Sequence, residues 1–582
     1  MEYALAAYQR GDRVEAERLC RLLLSGMPDY FDALFLAGIM AEQAGKAERA
    51  VELLSKAVAV RPDVAEAHYN YGVALGDLRQ YEEAVASYER AIALKHDYAD
   101  AYFNRGVALA ELGRPVQAIE SYDRAIAFNP GYAEVHNNRG IALDHLKRYE
   151  ESLANYDRAI ALKPDYARAH NNRGVALGRL ERHADALASY DRAVALKPDY
   201  ADAFANRGIA LGELDRPAEA LRSYERAIVL NPRYAEAFYN RGNALRDLNR
   251  HAEAIVSYER ALALKPDYAA AHWNLADCCL LLGDFARGWQ EYEWRWDLER
   301  NQNFKSDFQR PLWLGAEPLE GRTILLHAEL GFGDTLQFCR YAREVAALGA
   351  RVVLEVQPAL LPLLSGLEGV ALAVARGDRL PLFDYHCPLM SLPLAFKTDL
   401  TNVPVHVPYL HSDAKRVDLW RQKLRNTGKP RIGVVWSGSM ALRNDRRSMA
   451  LKDLLPLIGG WAEWVSLQKE VRDSDAVLLA SRPDLRDAGA ELNDFADTAA
   501  LVELMDVVVT VDTSVAHVAG AMGKPVWIML PFNPHDWRWM LNREDSIWYP
   551  TARVFRQPAN GDWASVVSRV DDELVRQFGS RG

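Results

Sequence analysis

Cysteine is scarce in this chain of 582 residues. There are five (Cys20, Cys278, Cys279, Cys339 and Cys387), and no C-x-x-C pair. Zinc spacing and a disulfide framework are therefore not expected, and a reducing compartment fits. A basic excess is also missing. Seventy Lys and Arg stand against 80 Asp and Glu, a net charge of -10. General nucleic-acid binding, which needs a basic stripe to neutralise phosphate, is not expected. No apolar run nears the roughly 20 residues that span a bilayer. The opening MEYALAAYQRGDRVEAE meets charged residues too early for a signal peptide. These absences predict a soluble, cytoplasmic protein. Disorder is excluded by a composition that is 49% hydrophobic and 10% aromatic. At roughly 150 residues per domain, the length suggests three or four domains.

The first half is periodic. Pro28, Pro62, Pro130, Pro164, Pro198, Pro232 and Pro266 fall 34 residues apart, with His96 in the single gap. A glycine column runs through Gly38, Gly72, Gly106, Gly140, Gly174, Gly208 and Gly242 and becomes Ala276. A tyrosine column runs from Tyr88 to Tyr292, and a small-residue column from Ala84 to Ala254 with Ser152 in it. Small columns let two antiparallel helices approach. Tyrosine fills the space between them, and proline stops the second helix. The pattern resembles the tetratricopeptide repeat and predicts eight full units between about 30 and 301, after a shortened pair at 1–29. Such arrays coil into a superhelix with a concave groove. An unbroken column, Asn70, Asn104, Asn138, Asn172, Asn206, Asn240 and Asn274, lies two residues before the glycine column. An amide side chain can pair with both N–H and C=O of an extended peptide. These residues are thus candidates for a peptide-binding groove, or simply the residue this repeat position prefers. Tyr69, Phe103, Tyr239 and Trp273, with Asp77, Glu111, Glu213 and Asp247, lie on the same helices. The columns Arg105–Arg241 and Arg90–Arg260 read as inter-repeat ion pairs or solvated faces.

After Trp289, Trp294 and Trp296 the period is lost, and 302–320 reads as a cap and linker. From Arg322, short β-branched runs alternate with helical patterns: TILLHAEL, RVVLEV, RIGVVW, EWVSLQ, VVVTV and PVWIML are the expected strands. Alternation of this kind implies parallel, doubly wound sheets. A break near 405–430 divides two of them, a Rossmann-like domain at 321–412 and a second at 413–582. Ligands of such sheets lie at the carboxyl ends of the strands.

Three loops at those ends carry candidate chemistry. In Glu329-Leu-Gly-Phe-Gly333-Asp334, the glycines permit close backbone approach. Asp334 is placed to accept a proton from a hydroxyl nucleophile, or to cap its helix. The loop is a poor dinucleotide fingerprint, because Leu336 occupies the third glycine position, although Glu355 lies near the expected distance. In Trp436-Ser437-Gly438-Ser439, a small-residue turn precedes Arg443, Arg446 and Arg447, a set suited to gripping a diphosphate or to a solvated loop. In Val511-Asp512-Thr513-Ser514-Val-Ala-His517, hydroxyls and backbone N–H groups at a helix start make an anion site. Asp512 there would bind a sugar hydroxyl or cap the helix, and His517 would support a phosphate or the loop. A fourth segment, Pro531 to Trp539, follows the last predicted strand. Trp537 and Arg538 are its candidates for base, sugar or phosphate contacts, or for burying the loop. The tail helix, about 562–577, is expected to return across the domains.

The GxGD loop, the W-S-G loop with basic followers, and D-T-S-x-x-H-x-A-G-A-x-G-K-P together resemble the heptosyltransferase-like (family 9) glycosyltransferases. The repeat array joined to a two-domain transferase resembles O-linked N-acetylglucosamine transferases and bacterial repeat-bearing transferases that glycosylate proteins such as flagellin. The resemblance implies a GT-B fold, inversion at the anomeric carbon, a nucleotide sugar as co-substrate, and no cofactor or metal. It also implies Asp334 as catalytic base and Thr513, Ser514 and His517 as holders of donor phosphate. Where the heptosyltransferases use a phosphate-binding lysine, this chain has only arginines in 443–447, and its first α/β domain is short. The acceptor is expected to be a protein Ser or Thr hydroxyl held by the repeat groove. The alternatives are a glycan acceptor such as lipopolysaccharide, or a non-catalytic adaptor with a degenerate transferase half.

Overall fold

The 34-residue period becomes a run of antiparallel helix pairs in the computed structural model, which describes residues 1–299, 301, 308–439, 445, 447–533 and 536–579. The pairs begin with Glu2–Gln9 and Arg13–Gly26, continue through Phe31–Gln43 and Ala47–Val60, and end with Ala269–Leu282 and Phe285–Tyr292. The glycine column has a steric cause. A Cβ on Gly106 would lie 2.5 Å from Cε1 of Tyr122, and one on Gly174 equally close to Tyr190. Each buried tyrosine ring lies directly on the bare backbone of its partner helix. The arginine column ties successive pairs together. Arg139 reaches Asp123 at 2.7 Å, Arg173 reaches Asp157 and Arg207 reaches Asp191, both at 2.6 Å, in each case on the second helix of the preceding pair. Arg173 and Arg207 also donate to Ser189 and Ser223 of their own pair.

The chain divides into two compact units, Met1–Ala237 and Phe238–Gly582. The sequence pattern changes near 301, but the unit boundary falls earlier, inside the helix Ala235–Asp247. The last repeats fold together with the α/β region. Trp289 is buried edge-on against Phe338 and Trp537 and donates its indole N–H to the Thr398 carbonyl at 2.9 Å. Arg295 is fully buried in the short turn Glu293–Asp297. It bonds Glu329 at 2.8 and 3.1 Å, Glu293 at 2.7 Å and Ser391 at 2.7 Å. Trp294 stacks on His272 at 4.0 Å.

The α/β region holds two parallel sheets. The first contains β1 (Thr323–His327), β2 (Arg351–Val356), β3 (Val370–Ala375) and β4 (Tyr385–Pro388) in the order β3-β2-β1-β4. The second contains β5 (Arg431–Val435), β6 (Glu463–Ser466), β7 (Leu485–Asp487), β8 (Val507–Val511), β9 (Val526–Leu530) and β10 (Ala552–Arg556) in the order β10-β9-β8-β5-β6-β7. Helices cover both faces, so the central strands are apolar without alternation: every residue of β8 and β9 is buried. The sequence reading missed β3, β4, β7 and β10. The helical pattern between β1 and β2 forms two short helices, Phe332–Phe338 and Tyr341–Ala347. The tail helix Trp563–Phe578 differs from expectation as well. It lays Val566, Val567, Val570 and Leu574 onto the outer layer of the second sheet, with Leu454 and Leu457. That apolar stripe finds its partner beside β10, within its own domain.

Candidate functional site

Between the two sheets lies a cleft of about 650 Å³. Its floor is the carboxyl end of β5 (Val435), the residue after β6 (Leu467) and the residue after β8 (Asp512). β5 and β8 are neighbours from which the chain winds outward in opposite directions, so the cleft opens where the strand order reverses. That is the position at which doubly wound sheets bind ligands.

One end of the cleft gathers groups able to donate hydrogen bonds. Thr513, Ser514 and Val515 line it at the start of the helix Ser514–Ala521, and no side chain caps that helix. The Thr513 hydroxyl pairs instead with Thr510 at 3.0 Å. The first N–H groups of the helix thus face the cleft without a side-chain acceptor, at the positive end of the dipole. Opposite lie Ser437, Gly438 and Arg447. Gly438 lets these side chains close in: a Cβ there would sit 2.9 Å from Asp445 Oδ2 and 3.3 Å from an Arg447 Nη, and both side-chain ends would have to shift. Arg447 is held by Asp445 at 3.0 Å and approaches Asp512 at 3.8 Å. Arg443 and Arg446 lie outside the described residues.

Asp512 is 4% exposed and accepts the Trp539 indole N–H at 3.0 Å. It does not cap the helix. Burial, then the neighbouring Asp536, push its carboxyl up to about 6.

Asp334 is the third residue of the helix Phe332–Phe338, and the N-cap is Gly331. Its Oδ2 accepts the Gly331 N–H at 2.8 Å, and its Oδ1 pairs with Arg538. Gly331, Phe332 and Gly333 line the cleft, and Asp334 follows them in sequence with its side chain 21% exposed. Burial raises its carboxyl above the ordinary range, and Arg538 pulls it back.

Three predicted contacts take other roles. Arg538 is 6% exposed and is held by Asp334, Gln337 and Asp536. Its guanidinium is not presented to a phosphate. Trp537 is 4% exposed and packs on Trp289, Phe338 and Trp548, so it is core and cannot stack a base. His517 bonds Tyr549 at 2.8 Å. Burial, then Arg538 and Arg340, hold its imidazole well below its usual value and so uncharged, as suits a structural joint. That joint explains Gly333: a Cβ there would lie 2.8 Å from the His517 ring.

Several residues escaped the sequence reading. Gln468 accepts the N–H of Trp436 at 3.1 Å and of Ser437 at 3.0 Å, and donates to the Ser437 carbonyl at 2.9 Å, which fixes the shape of that loop. Lys469, Glu470, Asn493, Asp494, Phe495 and Thr498 line the far end. Their signal was position only: they follow β6 or open a helix in the second sheet.

The asparagine column has its own geometry. Asn104 donates to Tyr69 at 3.0 Å, Asn172 to Asn137 at 3.0 Å and Asn206 to Asn171 at 3.1 Å, each 35 residues upstream. Asn274 donates likewise to Tyr239 at 3.3 Å and to Asn243 at 2.8 Å. Asn70 donates to the Glu66 carbonyl at 2.7 Å, Asn138 accepts from Asn137 at 3.1 Å, and Asn240 is half-buried. The amide donors of Asn104, Asn172, Asn206 and Asn274 thus serve the packing of one repeat on the next, whereas the bond of Asn70 stays within its own helix.

Among the described residues no group of acids, histidines or cysteines is placed to hold a metal, and no helix is long and apolar enough to cross a membrane.

Comparison with known proteins places the repeats. A model described as TPR repeat matches residues 77–113, 145–181, 218–245 and 242–283. Tetratricopeptide repeat models match 99–132, 167–200 and 121–154. The chain is 24% identical over 328 residues to Protein FlbA of Caulobacter vibrioides, a match covering 51% of this chain and 54% of that protein. It thus spans about half the length of that curated relative. Among solved structures, MamA is 28% identical over 29% of this chain and 98% of its own, with a TM-score of 0.28. YrrB, described as a TPR protein with an unusual peptide-binding site, is 23% identical over 32% of this chain and 96% of its own, with a TM-score of 0.29. Scores this low carry no argument, and the assignment rests on the repeat models and on the helix pairs themselves. The chain carries tetratricopeptide repeats, followed by a region of parallel sheets.

Proposed function

We propose that the chain is a nucleotide-sugar-dependent glycosyltransferase of GT-B architecture that acts on a polypeptide bound by its repeats. The observation that carries this reading is the cleft at the reversal of strand order, with an uncapped helix start at Thr513–Val515 facing Arg447 and the Ser437–Gly438 turn. That set supplies backbone N–H groups, hydroxyls and a guanidinium, which is what a diphosphate requires. In this reading the nucleoside lies toward Lys469, Asn493 and Phe495, and the sugar lies toward Gly333. A Ser or Thr hydroxyl attacks the anomeric carbon. The bond to the diphosphate breaks with inversion, and the hydroxyl proton passes to Asp334. The helix start and Arg447 stabilise the departing nucleoside diphosphate. Arg538 opposes the upward push of burial on the Asp334 carboxyl and so favours the ionised form, the one able to accept that proton. Repeat arrays offer extended surfaces to peptides, which supports a protein acceptor.

One observation favours a second reading, the adaptor with a degenerate transferase half. Both Asp334 oxygens are engaged, by Arg538 and by the Gly331 N–H. The two readings part in a calorimetric panel of UDP, GDP, ADP and CMP and their sugars on the full chain. The transferase reading expects binding of one nucleotide, weakened roughly tenfold by Arg447→Gln, as loss of a charged hydrogen bond of about 1.5 kcal/mol would give. It also expects transfer that is lost in Asp334→Asn. Binding without transfer or donor hydrolysis would favour the adaptor. Absence of any binding would reject the donor site.

A further inference from the structure

We infer that Asp512 serves the donor site as a neutral acid, so that the diphosphate of a nucleotide sugar enters the cleft together with a proton held on Asp512. The inference rests on the reading of the cleft as a nucleotide-sugar site.

The charges facing Asp512 come from every element packed around it. From the loop after β5 come Arg447 and, on the other side of that guanidinium, Asp445. From the turn Trp537–Trp539 and its cap come Asp536, Arg538 and the Trp539 indole N–H. From the helix Phe332–Phe338 comes Asp334, paired with Arg538. From the end of β10 comes Arg556, which donates to the Met540 carbonyl at 2.7 Å. His517, on the helix after β8, is uncharged. Two of the guanidiniums are already shared. Arg538 serves Asp334 and Asp536, and Arg447 serves Asp445 at 3.0 Å.

Asp512 is the acid of this cluster, among the described residues, whose guanidinium stands beyond hydrogen-bond distance, at 3.8 Å. It is also the acid of this cluster that lines the cleft beside Thr513 and Ser514. A diphosphate bound at that helix start brings further negative charge against a buried carboxylate. In a low-dielectric site two such charges cannot both persist near one another, and the least compensated acid takes the proton. The unliganded site is already poised for this, since burial and Asp536 hold Asp512 at about 6. Once protonated, the same oxygen that would repel a phosphate becomes a hydrogen-bond donor to it.

The test is calorimetry on the full chain with UDP-glucose, GDP-mannose and ADP-glucose from pH 5.5 to 8.0. It is repeated at pH 7 in two buffers of different ionisation heat. The phosphates of these sugars are diesters with no proton to lose in that range, so any proton linkage belongs to the protein. The expected result is uptake of close to one proton per ligand, with affinity falling by up to about tenfold per pH unit above pH 6. Asp512→Asn, shown to be folded by its melting curve, is expected to keep its affinity across the range and to take up no proton. Binding by the unaltered chain with no proton uptake would overturn the inference and leave the cleft reading standing. A folded Asp512→Asn chain that no longer binds would overturn it too, because the carboxylate would then act as an anion. No binding by any of the three sugars at any pH would overturn the cleft reading, and the inference with it.

Discussion

The unit Met1–Ala237 states each structural requirement many times over, whereas the unit Phe238–Gly582 states most of its requirements once. In the first, the pairing of a bare backbone with a ring recurs at Gly72/Tyr88, Gly106/Tyr122, Gly140/Tyr156, Gly174/Tyr190 and Gly208/Tyr224. The bridge from an arginine to the acid of the preceding pair recurs with it. In the second, a fully buried Arg295–Glu329 pair, one Gln468 and one Gly333–His517 joint each occur once and help to hold a loop of the cleft region. Repetition spreads stability over equivalent contacts between neighbours. Single-copy contacts concentrate it, and they concentrate chemistry in the same places.

The comparison can be broken most sharply at Arg295. Arg295→Ala leaves Glu329 buried without its counter-charge, and the expected loss is about 3–5 kcal/mol from the second unit alone. Urea unfolding followed by hydrogen exchange in each unit would read it. Replacing both members with methionine should cost far less, since the desolvation of two charges disappears with them. Asp512→Asn should have the opposite sign. Burial penalises the charged form of a carboxyl held at about 6 in the folded chain against roughly 3.9 when unfolded. The penalty is absent below pH 4, grows between pH 4 and pH 6, and is complete above pH 7. The variant should therefore gain about 3 kcal/mol at pH 8 and nothing at pH 4, as denaturation at the two pH values would report. In the repeats, Gly174→Ala places a Cβ 2.5 Å from the Tyr190 ring, at a cost of about 1–3 kcal/mol confined to the first unit. The smallest effect belongs to the asparagine column. Asn206→Ala removes one bond of 3.1 Å to Asn171, and about 1 kcal/mol should be lost. A loss near zero would say that the column serves a ligand more than the array.

Legibility in the sequence followed the same division. A column repeated at 34 residues announces itself, because every copy obeys the same steric rule. Even the role of the arginine bridges could be guessed from spacing alone. The central strands β1, β2, β5, β6, β8 and β9 were readable as apolar runs, and β3, β4, β7 and β10 were not. Three of those four carry polar or exposed residues at a sheet edge or beside a bridge, and β7 is only three residues long. The cleft loops were readable as loops at strand ends. What each side chain does there depends on partners far away in sequence. Trp537 meets Trp289, Arg538 meets Asp334, and His517 meets Tyr549 and the space above Gly333. No local pattern encodes those meetings, so residues read as ligand contacts turned out to be packing. Gln468, which shapes the Ser437 turn, passed as an ordinary strand end.

The central claim is that the cleft at the ends of β5, β6 and β8 is where a nucleotide sugar binds. Hydrogen-exchange mass spectrometry of the full chain, with and without the nucleotide sugar that binds in the calorimetric panel, tests it most directly. The account predicts slower exchange in peptides covering 435–439, 467–470, 492–498 and 511–516, the segments that line the cleft, and unchanged exchange across 1–237. Protection confined to the repeats, or spread with no maximum in those four segments, would contradict it.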